Sequence, residues 1–455
     1  MSRPNRLLVV SIDAMQTDDI EFARTLPHFA RILGSASTAE IEAVFPTVTY
    51  PNHTAQITGC SPGTSGIFNN LQFQPGRGDA SDWFWDHSLI RVPSVFAAAK
   101  EAGCSVAAVQ WPVTVGADSV DWLVPEAWSW QGRYESVESW AQDIVSENVW
   151  EQYVQPHLEK IQWEPKRKFN EFGTTVAEEL IRHERPEVLF FHLVELDSAR
   201  HAEGPYGRHV EEALRKIDGW LGRLFAALDE AGTFEETNIV LVSDHGHLGT
   251  EQHTNLNVML IEQGFIRIDE DGGLIDYDAF CLGAGLSGQI MLAEDLSEDR
   301  RGEVEDFLAE VEAEPEYRIE KIWTAEEAQQ KWGLSGPFSW VVESEPGVIV
   351  GMQWDRRAVV RREDEDFQGY LGNHGHAPQY GGQPVFIASG PDIAEGVDLG
   401  RRSILDEAPT FARLLGVELP DAEGVAMSGL LCDTGDIGNS GDTGGTSGTE
   451  KVVVA

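Results

Sequence analysis

Residues 7–13 read Leu-Leu-Val-Val-Ser-Ile-Asp, an almost wholly apolar run that ends in a carboxylate. An apolar run without alternation predicts a strand covered on both faces, as in a parallel sheet with helices on either side. Two later stretches repeat the form. Residues 188–193 (VLFFHL) lead to Asp197, and residues 239–242 (IVLV) lead through Ser243 to Asp244. Helical spacing at 22–33, 93–102, 140–161, 172–182 and 210–231 separates these runs and a further strand at 105–110. The pattern returns as a strand at 384–389 and a helix at 405–415. This alternation predicts an α/β fold with a doubly wound, mostly parallel sheet and helices on both faces. Ligands in such sheets sit beyond the carboxyl ends of the strands, so Asp13, Asp197 and Asp244 are expected on one face.

A single Asp after a strand is usually a helix cap. Here there are three, and histidines accompany two of them. Asp197 and His201 lie four residues apart, on one face of a helical turn. Asp244-His245-Gly246 ends a strand with two ligand-type side chains and a glycine that permits close approach. Gly372-Asn-His374-Gly375 offers another imidazole in a loop. Three carboxylates and three imidazoles suit zinc. His53, His87, His247 and His376 read as ordinary buried or surface residues. His247 and His376, two positions beyond ligand candidates, could also support ligands from behind.

Residues 45–59 (FPTVTYPNHTAQITG) begin extended and turn helical. Thr49 falls at the break, Tyr50 is expected extended because a proline follows, and Pro51 is expected in the first turn of a short helix closed by Gly59. Thr49 is then either a helix N-cap or a hydroxyl delivered to an anion-binding helix terminus. A threonine needs a base or a metal to become a nucleophile. Two divalent ions about 4 Å apart supply that, and three carboxylates against two dications leave about one positive charge, suited to a phosphodiester monoanion. Asn70 is a candidate donor to a non-bridging oxygen.

The chain has 455 residues, 76 acidic against 33 basic, and a formal net charge of −43. Eight of the cationic residues are lysine. Such a surface repels nucleic-acid polymers and anionic membranes. No run approaches the roughly 18 apolar residues of a membrane span, and residues 1–6 carry no signal-like segment. The scattered Cys60, Cys104, Cys281 and Cys432 fit neither a metal nor a disulfide spacing, so a cytoplasmic protein is expected. Residues 1–254 and 362–432 read as one core, 255–361 as a smaller α+β insertion, and the Gly/Ser/Thr/Asp-rich 433–455 as a disordered tail.

These motifs together resemble the nucleotide pyrophosphatase/phosphodiesterase family of the alkaline phosphatase superfamily. Thr49-Tyr50-Pro51-Asn52 is similar to its nucleophile motif, Thr58-Gly59 and Ser65–Asn70 to its next segment, with Ser65 where histidine is usual. Asp197 and His201 match its D-x-x-G-H motif, with Arg200 in place of glycine. Ser243–Gly246 and His374-Gly375 are intact, and residues 406–424 resemble the superfamily's closing helix and turn. The resemblance implies an alkaline-phosphatase-like fold and two Zn2+ ions. One would be held by Asp197, His201 and His374, the other by Asp13, Asp244, His245 and the Thr49 oxygen. It implies in-line attack by Thr49 and a phosphothreonine-type intermediate that is then hydrolysed, on a small phosphodiester or nucleotide-like substrate. Trp83, Phe84, Trp85, Trp111, Trp128 and Trp130 could clamp a flat leaving group or simply pack. Trp83, Trp85 and Arg200 are the candidate substrate contacts. Rival readings are a phosphomonoesterase, a phosphonoacetate-hydrolase-like enzyme, a phosphomutase, or a metal-containing protein that only binds a phospho-ligand.

Overall fold

The computed structural model describes residues 5–77, 81–126, 134–161 and 169–432. Arg6–Ile12 (β1) lies inside an eight-stranded sheet. The other strands are Ser37–Glu42 (β2), Val106–Val109 (β3), Trp122–Val124 (β4), Val188–Leu193 (β5), Thr237–Val242 (β6), Val385–Ser389 (β7) and Asp398–Ser403 (β8), in the order β8-β2-β7-β6-β1-β5-β3-β4. Only β7 runs against its neighbours. β1 pairs in parallel with β5 and β6, Ile12 opposite Leu193 and Ser11 opposite Val242. These three adjacent strands therefore end at one edge, and the loops that leave them emerge side by side.

The apolar run of β1 divides between two cores. Leu8, Val10 and Ile12 join a cluster with Leu214, Ile217 and Leu221 of the helix Arg208–Ala231. Leu7 and Val9 join Phe411 and Leu414 of Glu407–Leu415 on the other face. That two-sided cover is why the strand does not alternate.

Several local expectations change. The segment 22–33 is split into Ile20–Ala23 and Pro27–Leu33, because Leu26 before the proline is extended (ψ 139°). The segment 140–161 is broken at Val145 (ψ 143°), between the helix Val137–Ile144 and a run of short helical turns that ends at Lys160. Strand β2 lacked a clear apolar pattern: it reads Ser-Thr-Ala-Glu-Ile-Glu, and only alternate residues are buried. Among the described residues no helix is long and apolar enough to cross a membrane.

Residues 252–361 carry sheets and a core of their own. Ala279–Gly283, Ser287–Leu292, Trp340–Ser344 and Ile319–Thr324 form an antiparallel sheet in that order, with Glu298–Ala313 packed through Val304 and Leu308. This region touches the edge where β1, β5 and β6 end: Leu286 N–H donates to the His374 carbonyl at 2.8 Å. Gln289 Nε2 donates to the Phe68 carbonyl at 2.9 Å, and Asn69 Nδ2 donates to Gln289 Oε1 at 3.0 Å. The insertion thus buttresses two loops of the candidate site. Residues 433–455 lie outside the described residues.

Candidate two-cation centre beside a buried threonine

Asp13 leaves β1 with its N–H bonded to the Leu193 carbonyl at 2.9 Å. Ala14 then takes a left-handed turn (φ 62°), and its N–H donates to Asp244 Oδ1 at 3.2 Å. A non-glycine residue held there stores backbone strain, and here the strained turn joins two carboxylates. Gly246 follows His245; a Cβ at Gly246 would stand 1.9 Å from the Gly382 carbonyl, so no larger residue fits. Gly375 beside His374 has φ 91°, and its N–H donates to the Thr47 carbonyl at 2.9 Å.

Two groups of donors result. Asp13, Asp244 and His245 bring one ligand atom each within 4.8 Å of one another, and Asp197, His245, His247 and His374 do the same. In the first, His245 Nε2 lies 3.4 Å from Asp13 Oδ1 and 3.2 Å from Asp244 Oδ2. Both carboxylate oxygens are buried without a hydrogen bond among the described residues. In the second, Asp197 Oδ1 stands 3.8 Å from His374 Nε2, and His201, beside this group, brings Nε2 to 3.3 Å from the same oxygen. His201 Nδ1–H donates to the Gly372 carbonyl at 2.9 Å, which leaves Nε2 with its lone pair toward Asp197. The rings of His245 and His374 stack 3.9 Å apart and link the groups.

Burial, then the charges of Asp244 and Asp197, pushes the Asp13 carboxyl well above the usual range. Burial likewise raises Asp244, to about 7. Burial first and neighbouring imidazoles second hold His245 and His374 well below the usual histidine value. Neutral imidazoles and crowded, partnerless carboxylate oxygens form a donor set that a dication would relieve. The residues therefore fit divalent metal.

Thr49 opens the helix Thr49–Thr58, with Val48 as its cap residue, so Thr49 is not the cap and Tyr50 is helical. Pro51 lies inside the first turn, where its missing N–H has no intrahelical partner to lose. The Thr49 hydroxyl is 3.3 Å from His245 Nε2. Tyr50 N–H donates to Asn70 Oδ1 at 2.8 Å, which fixes that amide and leaves its Nδ2 as the donor.

Three more histidines reach the centre: His53 and His192 did not stand out in sequence, whereas the place of His247 two positions past a ligand candidate pointed to support from behind. His53, one helical turn after Thr49, donates Nδ1–H to the Thr49 carbonyl at 2.9 Å. His192 Nε2 lies 3.1 Å from Asp13 Oδ2 and fixes that carboxylate from behind. Its signal was a polar residue inside the otherwise apolar β5. His247 Nε2 lies 2.8 Å from Asp197 Oδ1.

Arg200 is a correction. It is wholly buried, bonded to Asp19 Oδ2 at 2.5 Å and to the Pro205 carbonyl, so it cannot meet substrate. The helix Glu195–Glu203 turns Asp197 and His201 toward the centre and Arg200 into the protein behind. Trp111 is also fully buried, packed on Phe190 and His53. Trp85 is buried, whereas Trp83 packs edge-on against Tyr50 at 5.1 Å, beside the threonine. Both border a cavity of about 340 Å3 with Asp82, Asp86 and Tyr134. Trp128 and Trp130 lie outside the described residues.

The family model for type I phosphodiesterase / nucleotide pyrophosphatase matches residues 7–376. Human ectonucleotide pyrophosphatase/phosphodiesterase family member 1 is 24% identical over 246 residues, 52% of this chain and 23% of that protein. A bis(5'-adenosyl)-triphosphatase of Pongo abelii is 24% identical over 284 residues, 59% of this chain and 54% of its own. The chain thus spans about a quarter to a half of the length of these relatives. Inactive murine ectonucleotide pyrophosphatase/phosphodiesterase 5, solved in complex with AMP, shares the fold with a TM-score of 0.67 at 20% identity, covering 94% of this chain and 100% of that one.

Proposed function

The chain belongs to the type I phosphodiesterase / nucleotide pyrophosphatase family, and we propose that it hydrolyses a small phosphodiester or phosphoanhydride of nucleotide type, with Thr49 as nucleophile. The observation that carries this reading is the Thr49 hydroxyl, 3.3 Å from His245 Nε2 at the start of a helix. Asp13, Asp244, His245 and Thr49 would hold one Zn2+, and Asp197, His201 and His374 the other. Such ions, when bound, neutralise charge on the phosphoryl oxygens and favour the deprotonated hydroxyl.

The chain's own groups supply the rest. Thr49 Oγ1 gives its proton to solvent and attacks phosphorus. The new P–O bond forms as the bond to the leaving oxygen breaks, and that oxygen takes a proton from solvent. Asn70 Nδ2 donates to a non-bridging oxygen. The dipole of the helix Thr49–Thr58 favours the anion at its N-terminus. Water then cleaves the phosphothreonine ester and restores the hydroxyl. The AMP complex and the adenosyl name borne by two similar proteins support a nucleotide-like substrate. The four cysteines, none in a disulfide, support a cytoplasmic placement.

The test is kcat/KM on a p-nitrophenyl phosphodiester against its monoester, with Thr49→Ala as control. We expect preference for the diester, and Thr49→Ala to lose at least ~10^4-fold in rate while keeping its metal. Preference for the monoester would overturn the substrate class. Undiminished turnover by Thr49→Ala would overturn the nucleophile.

A further inference from the structure

We propose that Tyr370 is the platform on which the leaving arm of the substrate stacks, so that the enzyme favours substrates whose leaving group carries a flat aromatic ring or a nucleobase. The assignment deepens the nucleotide-type reading above and rests on it. In-line attack puts the leaving oxygen opposite Thr49 Oγ1 across phosphorus, so the leaving arm departs on the side of Asp197, His201 and His374. Tyr370 stands there. Its ring centroid lies 4.2 Å from that of His201, with the two planes inclined by 38°, and the residue is 54% exposed.

The ring is held in place by its own loop. Leu371 N–H donates to the His201 carbonyl at 2.9 Å, and the Gly372 carbonyl accepts from His201 Nδ1–H at 2.9 Å. Thr250 N–H in turn donates to the Leu371 carbonyl at 2.9 Å. Tyr370 is thus tied to a candidate ligand through backbone and ring alike. More than half of it nonetheless faces solvent, so the ring adds little to the core. A ring placed in advance offers a flat contact with little rotamer freedom left to freeze. Tyr206, 58% exposed, rises from the adjoining turn, where a Cβ on Gly372 would lie 3.2 Å from Gly204 Cα and Pro205 N. These two tyrosines are half of the four large apolar side chains that stand more than half exposed among the described residues. Of the tryptophans, Trp83 packs on Tyr50 and Trp111 on His53, both beside the nucleophile rather than here.

The test compares two substrates that share one retained arm and one kind of leaving oxygen. Diadenosine diphosphate releases AMP, and the β-methyl ester of ADP releases methyl phosphate, so only the nucleoside on the leaving arm differs. The ratio of kcat/KM for the first over the second is measured in the full Zn2+-loaded chain, in Tyr370→Ala and in Tyr370→Phe. We expect the ratio to fall about 10–100-fold in Tyr370→Ala and to stay within about twofold of the parent's in Tyr370→Phe, which keeps the ring. An unmoved ratio in Tyr370→Ala, with both substrates slowed alike or not at all, would mean that the side chain only braces His201, and it overturns the assignment. A ratio that falls as far in Tyr370→Phe overturns it too, because the contact would then belong to the hydroxyl and not to the ring. A parent that turns over neither substrate overturns the nucleotide-type reading itself, an outcome distinct from an unmoved ratio. Melting curves of each variant confirm that the comparison is between folded proteins.

Discussion

The two donor groups are built differently. Asp13, Asp244 and His245 stand directly on the ends of adjacent strands β1 and β6, with side chains 0–4% exposed. Asp197 and His201 ride a nine-residue helix and His374 a loop, with side chains 10–16% exposed. The first group inherits the rigidity of the central sheet. The second depends on props: Arg200 on Asp19, the Gly372 carbonyl on His201, and Leu286 of the insertion on His374. Under the proposed mechanism the first group would fix the Thr49 oxygen and the second would let a leaving group depart, and the partition of rigidity suits that division of labour.

Breaking the strand-built group should have the largest effect. Asp244→Asn or His245→Ala is expected to lower kcat/KM by ~10^3-fold or more, and added Zn2+ should not restore it. Restoration would show the two groups to be equivalent. In the helix-and-loop group His201→Ala should weaken one ion about 10–100-fold, with turnover recovering as Zn2+ is raised, because the other donors remain. A loss that no metal concentration repairs would contradict the difference.

The props give the next effect. Arg200→Ala leaves Asp19 buried without its cationic partner, a change expected to cost about 3–5 kcal/mol, read as a lower urea midpoint. A midpoint within error of the parent would mean that the pair does not brace the helix.

The smallest effect concerns Glu407, buried beneath the helix Thr49–Thr58. Burial pushes its carboxyl well above the usual glutamate range. A proton is therefore held in the folded state but released on unfolding, so stability from this group is full below pH about 4.3 and is lost as pH rises toward the raised value. Glu407→Gln removes that loss, and its stability relative to the parent should grow with pH. A difference independent of pH would place the proton elsewhere.

Much of the strand-built group could be read in sequence, because a continuous apolar strand fixes where its next residue must go. Asp13 follows β1 directly and Asp244 follows β6 after Ser243, and the parallel register brings them together. The helix-and-loop group was harder to read. The spacing of Asp197 and His201 implied a shared helical face, but whether Arg200 points outward depends on Asp19, far away in the chain. The place of His247 in sequence suggested support for a ligand, but that it braces Asp197, and that His192 braces Asp13, are tertiary contacts that no local pattern encodes. The helix start at Thr49 went against the preference of a residue before proline, since the first turn can spare that N–H.

The most direct measurement is the number of divalent ions the protein retains per chain after Zn2+ loading and desalting in salt, which strips ions merely attracted by the −43 charge. Two retained ions per chain are the predicted result. None, or a single ion that survives both His245→Ala and His201→Ala, would contradict a centre made of two unlike halves.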